Sequence, residues 1–227
     1  MALETQKVID LNVHFYNTLA GQFARSRVKP WAGWTLLLKY IKASCLIADI
    51  GCGDGRFLTF LLNNNINCAY TGYDTSAELI NLAKKEHAQA NFYTFDVIQN
   101  KLPRNYDVVC AFGLVHHIPN QKALYKTIKN ISAVVNKQGL VIITIWKFNP
   151  QKEKTFNIKS RELGISLEKG DFLLDWGGTG VNLRFCHLYD RTEIENLIKH
   201  FERARFSLID QFDADKENTY LVFKKLV

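Results

Sequence analysis

No two cysteines in the chain are spaced as CxxC, and the five that occur (Cys45, Cys52, Cys68, Cys110 and Cys186) are odd in number. That argues against a zinc cluster of the protein's own, and no metal-binding set is expected. Cys45, Cys68 and Cys110 lie in apolar runs, where a free thiol packs as a small core residue. Such usage suits a reduced, cytoplasmic chain. No apolar run approaches the ~18 residues of a membrane span. The N-terminal MALETQKVID lacks the basic-then-apolar pattern of a signal peptide. Internal repeats and low-complexity tracts are missing too, which sets aside solenoids and disordered arrays.

What is present is a chain of 227 residues, 47% hydrophobic and 22% charged. That is the balance of an ordinary globular protein, and a single domain over 1–227 is expected. The formal charge of +7 favours an anionic partner such as nucleic acid without identifying one.

Val8, Leu11, Phe15 and Leu19 recur at helical spacing and predict an amphipathic helix over 4–22 that loosens at Gly21. With FARSRVKPW (23–31) and the short helical WTLLLKYIKA it forms an N-terminal arm, residues 1–44. Strands then alternate with helices: CLIADI, CAYTGY, NFYTF, YDVVCAF and LVIITIW read as strands. Thr75 and Glu78 read as a capping box for the helix after the second, and Gly139 as the stop of the helix before the fifth. The alternation implies a parallel sheet covered on both faces. Residues 147–186 interrupt it with Lys147, Lys152, Lys154, Lys159, Arg161 and Lys169 and then WGGTG, too poor in apolar residues for a core, and read as a basic insertion or substrate lid. A helix over Thr192–Phe201 and the strands RFSLIDQF and TYLVFKKL close the pattern. The expected fold is α/β, a doubly wound, Rossmann-like sheet of seven strands, mostly parallel with the last antiparallel.

The sharpest motif is ADIGCGDGRF (48–57), after a strand and before a helix. Its glycines allow a tight turn and close backbone approach to a ligand. Asp49, Asp74 and Asp96 stand at the ends of three successive strands. An acid after the second strand suits a ribose diol, which serves NAD and S-adenosylmethionine alike. Asp49 and Asp54 separate the two. Carboxylates in the loop would repel a pyrophosphate, whereas the sulfonium and ammonium of S-adenosylmethionine are cations.

ADIGCGDGRF, YTGYDTS, TFD and the terminal hairpin together resemble the class I S-adenosylmethionine-dependent methyltransferases. FYNTLAGQFARSRVKPW, GLVHHIP, GDFLLDW and FCHLYDRTEIENL resemble one branch of them. That branch comprises the tRNA wobble-uridine carboxymethyl methyltransferases and the methyltransferase domain fused to the AlkB-type tRNA dioxygenase. The resemblance implies methyl transfer to the carboxylate of 5-carboxymethyluridine in a tRNA anticodon loop, and a small zinc-binding activator subunit as in eukaryotic relatives. A metabolite carboxylate or hydroxyl is the alternative acceptor. Asp54, Arg56, Pro119 and Asp175 depart from the branch's pattern, and no RNA-recognition or dioxygenase sequence is present.

The candidate cofactor-binding residues are Asp49, Gly51, Cys52, Gly53, Gly55, Asp74, Thr75, Asp96, Val97 and Phe112. A carboxylate acceptor is ionised at neutral pH, so the site needs cations to hold it rather than a strong base. Arg27 and Lys29 are the candidates, on an arm stiffened by Pro30 and packed down by Trp31, with Arg25 solvated. His116 of the His116–His117 pair is expected to face the substrate. His187 and Tyr189 read equally as substrate contacts or as structural caps. Tyr16 and Trp176 read either as stacking platforms for a base or as core.

Overall fold

The computed structural model describes residues 2–103 and 105–227. At its centre is β1, Leu46–Ile50. Ile47 and Ala48 are fully buried and belong to different apolar clusters, so successive side chains serve opposite faces of one sheet. The neighbours of β1 are β2 (Ala69–Asp74) and β4 (Tyr106–Ala111), both parallel to it. Outward of these lie β3 (Asn91–Thr94) and β5 (Val135–Trp146), also parallel. The last two strands of the sheet are β8 (Phe206–Ala214) and β9 (Asn218–Lys225). The order is β3-β2-β1-β4-β5-β9-β8, with β9 inserted antiparallel between β5 and β8. The expected doubly wound, seven-stranded sheet with its last strand reversed is therefore the fold.

Helices cover both faces. On one lie α2 (Ala32–Leu37), α3 (Arg56–Asn63) and α4 (Ala77–Glu86), through Trp34, Phe57, Leu61, Ile80 and Ala83. On the other lie α5 (Gln121–Ala133) and α7 (Arg191–Arg203), through Leu124, Ile128, Leu197 and Phe201. The fourth-strand end leads into a short 3₁₀ turn, Val115–His117. No helix among the described residues is long and apolar enough to cross a membrane.

Local chemistry moves several boundaries. The first helix, α1, runs over Ala2–Ser26 straight through Gly21, so the connector shrinks to residues 27–31. Helix α4 is capped by Ser76 rather than Thr75: its Oγ accepts from Leu79 N–H (3.2 Å) and donates to Asn17 (2.8 Å). Gly139 lies inside β5, because α5 has already ended at Ala133. The capping box of α7 is Asp190 with Glu193.

Residues 147–186 are more ordered than their composition suggests. After a one-turn helix, α6 (Ser160–Leu163), β6 (Asp171–Asp175) and β7 (Leu183–His187) pair as an antiparallel hairpin. Its Leu173, Leu183 and Phe185 share a buried cluster with Val8 of α1 and Ile165. Alternation in the two strands, rather than overall apolar content, supplies that small core. Helix α1 thus packs between this hairpin and α4.

Candidate active site

A cavity of about 450 Å³ opens at the carboxyl ends of β1, β2, β3 and β4, where open α/β sheets take their ligands. The two sides of the cavity differ in charge. One is acidic and is built by the glycine loop. The N–H groups of Gly51 and Cys52 donate to Tyr73 O (2.7 and 3.1 Å), folding the loop back over β2. Gly51, Gly53 and Gly55 all have φ between 56° and 84°, the left-handed region that other residues rarely enter. Asp74 fastens the turn: its Oδ2 accepts from Gly53 N–H (2.9 Å) and its Oδ1 from Ser76 N–H (2.8 Å).

Asp49 is 2% exposed. Its Oδ2 accepts from the Tyr70 hydroxyl (2.5 Å), while its Oδ1 is buried without a partner. Burial raises its pKa to about 7 against the Tyr70 hydrogen bond, and the nearby Asp74 charge adds to the rise. Asp54 is also raised by burial and is opposed by Arg56, whose Nε lies 3.6 Å from it. Asp96 Oδ1 accepts from Ile98 N–H (2.7 Å).

The other side is cationic. Arg27 sits in the cavity wall with its guanidinium over the Phe23 ring (4.0 Å) and near Trp176 (5.9 Å). Burial lowers its pKa to about 10, which leaves it charged at neutral pH. Arg184, on β7, is 8% exposed and lies between Phe15 and Trp146, 5.3 Å from each ring. One of its Nη atoms donates to the Tyr16 hydroxyl (3.4 Å), and its Nε is buried with no partner. Among the described residues, no carboxylate lies within ion-pair distance of either guanidinium.

The histidine pair hangs between the two sides. His117 Nδ1 contacts Phe185 O (2.8 Å), which only accepts, so Nδ1 carries the proton and Nε2 accepts from Tyr16 (2.7 Å). His116 is 5% exposed, lines the cavity and has a buried, partnerless Nδ1. Burial and the neighbouring cations push both pKa values down, His117 to about 3 and His116 well below its usual range, so both rings are neutral. Tyr189 supports this turn by donating to Val115 O (3.2 Å). His116, His117 and Cys186 bring ligand atoms within 4.8 Å of one another. They do not make a metal site, because both His117 nitrogens are engaged and the Arg184 charge adjoins the set.

Of the cofactor candidates, all but Gly55 line the cavity. Gly55 instead caps α3, with Phe92 and His87 crowding its Cβ position. The substrate candidates separate. Arg27 and His116 line the central cavity, whereas Lys29 is exposed and lies outside it. His187 is also outside. Its Nδ1 meets Asp171 (2.6 Å) and its Nε2 meets Glu193 (3.0 Å), tying the hairpin to α7. Burial works to lower its pKa, but the two carboxylates outweigh it and the net shift is upward. Trp176 packs on Phe15 and Phe23. Tyr16 stands edge-on to Phe15, Phe23 and His117 with only its hydroxyl active. Several lysines of the basic insertion are committed within the protein: Lys147 pairs with Asp213 of β8, while Lys154 and Lys159 donate to the carbonyls of Gly177 and Gly180. Sequence reasoning missed Arg184, whose one signal is an arginine set inside the apolar run between Leu183 and Phe185. It also missed Asn218 and Trp146, both lining the cavity.

Residues 23–202 match the model of the methyltransferase domain family. The chain belongs to the methyltransferase domain family. Over 178 residues, 74% of this chain and 26% of the relative, this methyltransferase is 24% identical to the tRNA (carboxymethyluridine(34)-5-O)-methyltransferase ALKBH8 of Mus musculus. It is 28% identical to the probable tRNA methyltransferase 9B of Bos taurus, over 77% of this chain and 34% of that one. The chain therefore spans about a quarter to a third of the length of these curated relatives. A solved structure described as a DhpI–SAM–HEP complex has the same fold, with a TM-score of 0.71 at 15% identity, covering 95% of this chain and 97% of that one.

S-adenosylmethionine is the cofactor of S-adenosylmethionine-dependent methyltransferases, and the acidic side of the cavity fits it. The orphaned Asp49 oxygen calls for a cationic group. Asp74 and Asp96 follow at the next strand ends, and a Cβ on Gly53 would meet nothing within 4 Å, so the loop backbone there is open to a ligand. Asp49, Gly51, Gly53, Asp74, Thr75, Asp96, Val97 and Phe112 would hold it. When bound, it supplies an electrophilic methyl group.

Proposed function

We propose that this methyltransferase esterifies the carboxylate of a 5-carboxymethyluridine in the anticodon loop of tRNA. The observation that carries the reading is the pair of guanidiniums, Arg27 and Arg184, facing the cavity with no carboxylate of the described residues within ion-pair distance. Burying such charges costs several kcal/mol per ion unless an opposite charge joins them. The acids on the other side already suit a cationic cofactor, so the arginines suit an anionic acceptor. A carboxylate is ionised near neutral pH and no proton has to leave during methyl transfer. Two neutral histidines fit that chemistry, because neither is asked to act as a base. Arg27 and Arg184 orient the carboxylate and offset its desolvation, His116 adds a neutral hydrogen-bonding group, and the aromatic walls exclude water.

The names of the tRNA-modifying relatives favour a nucleoside over a metabolite as carrier of the carboxylate. Exposed Lys29, Lys152 and Arg161 carry no ion pair among the described residues and fit phosphate contacts at the rim. The test incubates purified protein and methyl-labelled S-adenosylmethionine with tRNA lacking the ester, followed by nucleoside analysis. Label in an alkali-labile methyl ester of uridine is expected. Label in a metabolite extract and none in RNA would overturn the reading.

A further inference from the structure

Besides the partnerless nitrogens of His116 and Arg184, a further polar side chain at the substrate end of the cavity makes no hydrogen bond to any described residue. Asn218 opens β9 directly opposite Trp146 of β5, and opposed residues of an antiparallel pair project from the same face of the sheet. Both line the cavity. Asn218 is 8% exposed, yet its amide makes no hydrogen bond to any described residue. The other polar groups at this corner are committed. Asp215 accepts from Gly33 N–H (3.3 Å) and from the Tyr220 hydroxyl (2.5 Å). Trp146 Nε1 donates to Glu217 (3.0 Å), and the Thr219 hydroxyl donates to Asp213 (2.6 Å). An amide that faces the cavity with its donor and acceptor both uncommitted is free to pair with a ligand.

An amide places an N–H donor beside a carbonyl acceptor in one plane. The complementary ligand is a flat ring edge with its own N–H next to a C=O, as an imide presents. The neighbouring Trp146 indole supplies the apolar wall such a ring needs. The Arg184 guanidinium lies 5.3 Å from that indole, so an anionic arm on the ring would reach the cationic side.

We infer that Asn218 is a specificity-determining residue that holds the imide edge of the pyrimidine carrying the carboxylate, accepting from the ring N–H and donating to a ring carbonyl. The inference rests on the carboxymethyluridine reading above and names how the base is read. It is tested with short RNAs containing 5-carboxymethyluridine or its N3-methyl analogue, which lacks the ring donor. For the wild type, N3-methylation should raise KM about tenfold, the usual worth of one such bond. Asn218→Ala should raise KM on the unmodified RNA by about the same factor and respond little to N3-methylation, whereas the isosteric Asn218→Asp, which keeps the acceptor for the ring N–H and loses the donor to the carbonyl, should raise KM yet still respond to N3-methylation. Cofactor affinity by calorimetry should be unchanged in both variants. A wild type indifferent to N3-methylation, or an Asn218→Ala variant that still discriminates as the wild type does, would overturn the role of Asn218 alone. Failure of the wild type to methylate either RNA would remove the carboxymethyluridine reading, and this inference with it.

Discussion

Replacing Arg184 with methionine should move activity and stability in opposite directions. Arg184 is 8% exposed, and its guanidinium has a partnerless Nε and makes one long bond (3.4 Å) to Tyr16. In the protein without substrate it is a buried charge with no carboxylate of the described residues within ion-pair distance, and Glu153 acts on it only from farther away. Exchanging such groups for an apolar side chain of similar volume commonly stabilises by about 1–4 kcal/mol. Toward the low end of that range, and at about 2–4 °C per kcal/mol for a chain of this size, Tm of Arg184→Met should rise by roughly 3–6 °C. Toward the acceptor the sign reverses. Losing one partner of a buried ion pair costs about 3–5 kcal/mol. Arg27 still holds part of the charge, so about 3 kcal/mol is expected, or roughly a 10²-fold fall in kcat/KM. Cofactor affinity should not change, since the acidic side of the cavity is untouched. Arg184→Lys, which keeps charge but not the fork, should fall between. The assays are thermal denaturation, calorimetry with S-adenosylmethionine, and initial rates on tRNA. A variant within threefold of wild type in kcat/KM would refute the anion-holding role. A Tm several degrees lower would show that Arg184 serves the fold instead.

Asp49 is held protonated to about pH 7 by burial while its unfolded counterpart ionises near 4. The folded state therefore binds the extra proton, and this group's contribution to stability falls as pH rises from about 4 to 7. Asp49→Asn should remove that pH dependence in thermal melts and abolish tight cofactor binding. Wild-type affinity for S-adenosylmethionine should rise from pH 6 to pH 8, and a flat profile would contradict a cationic group of the cofactor at Asp49. His187 has its pKa raised by Asp171 and Glu193, so its stabilisation is fully present below the unfolded value near 6.5 and is lost as pH climbs through the folded value. His187→Gln should thus lower Tm more at pH 6 than at pH 9 and leave kcat of the folded enzyme unchanged. A selective loss of kcat would return this residue to the active site. Lys29→Ala should alter kcat less than threefold and act only on KM for tRNA, with a shallower salt dependence; a collapse of kcat would place Lys29 at the carboxylate.

The sheet and the acidic side of the cavity were legible in the sequence because both are local. A strand, a glycine turn and the aspartate that follows lie within a few residues of one another, and parallel topology brings Asp49, Asp74 and Asp96 to one edge. The cationic side was legible only in part. Arg27 and His116 lie next to recognisable turns, but Arg184 arrives from a hairpin whose small core depends on Val8 of α1. Nothing in the spacing of the chain ties residue 184 to residue 16. His187 and Lys29 fall outside the cavity for the converse reason: a cation near a site in sequence carries no information about the carboxylates, Asp171 and Glu193, or the solvent that tertiary structure sets against it. The cap of α4 turned on Asn17, a residue of the N-terminal helix that no local pattern could supply.

The contact between Gly33 and the β8–β9 turn has a consequence for how the enzyme is made. Asp215 holds Gly33 N–H across 182 residues of sequence, and a side chain at Gly33 would overlap the Tyr220 ring. At translation rates of about 5–20 residues per second, the two sides of this joint leave the ribosome roughly 10–40 s apart. Until then β5 lacks its antiparallel neighbour β9, and the apolar residues that will cover Tyr220 stand open to water. The nascent chain therefore carries a half-built sheet with a bare edge for most of its synthesis. A chain cut before residue 215 would keep its glycine loop and every acid of the cofactor side, and would still present that edge to other chains as a site of aggregation.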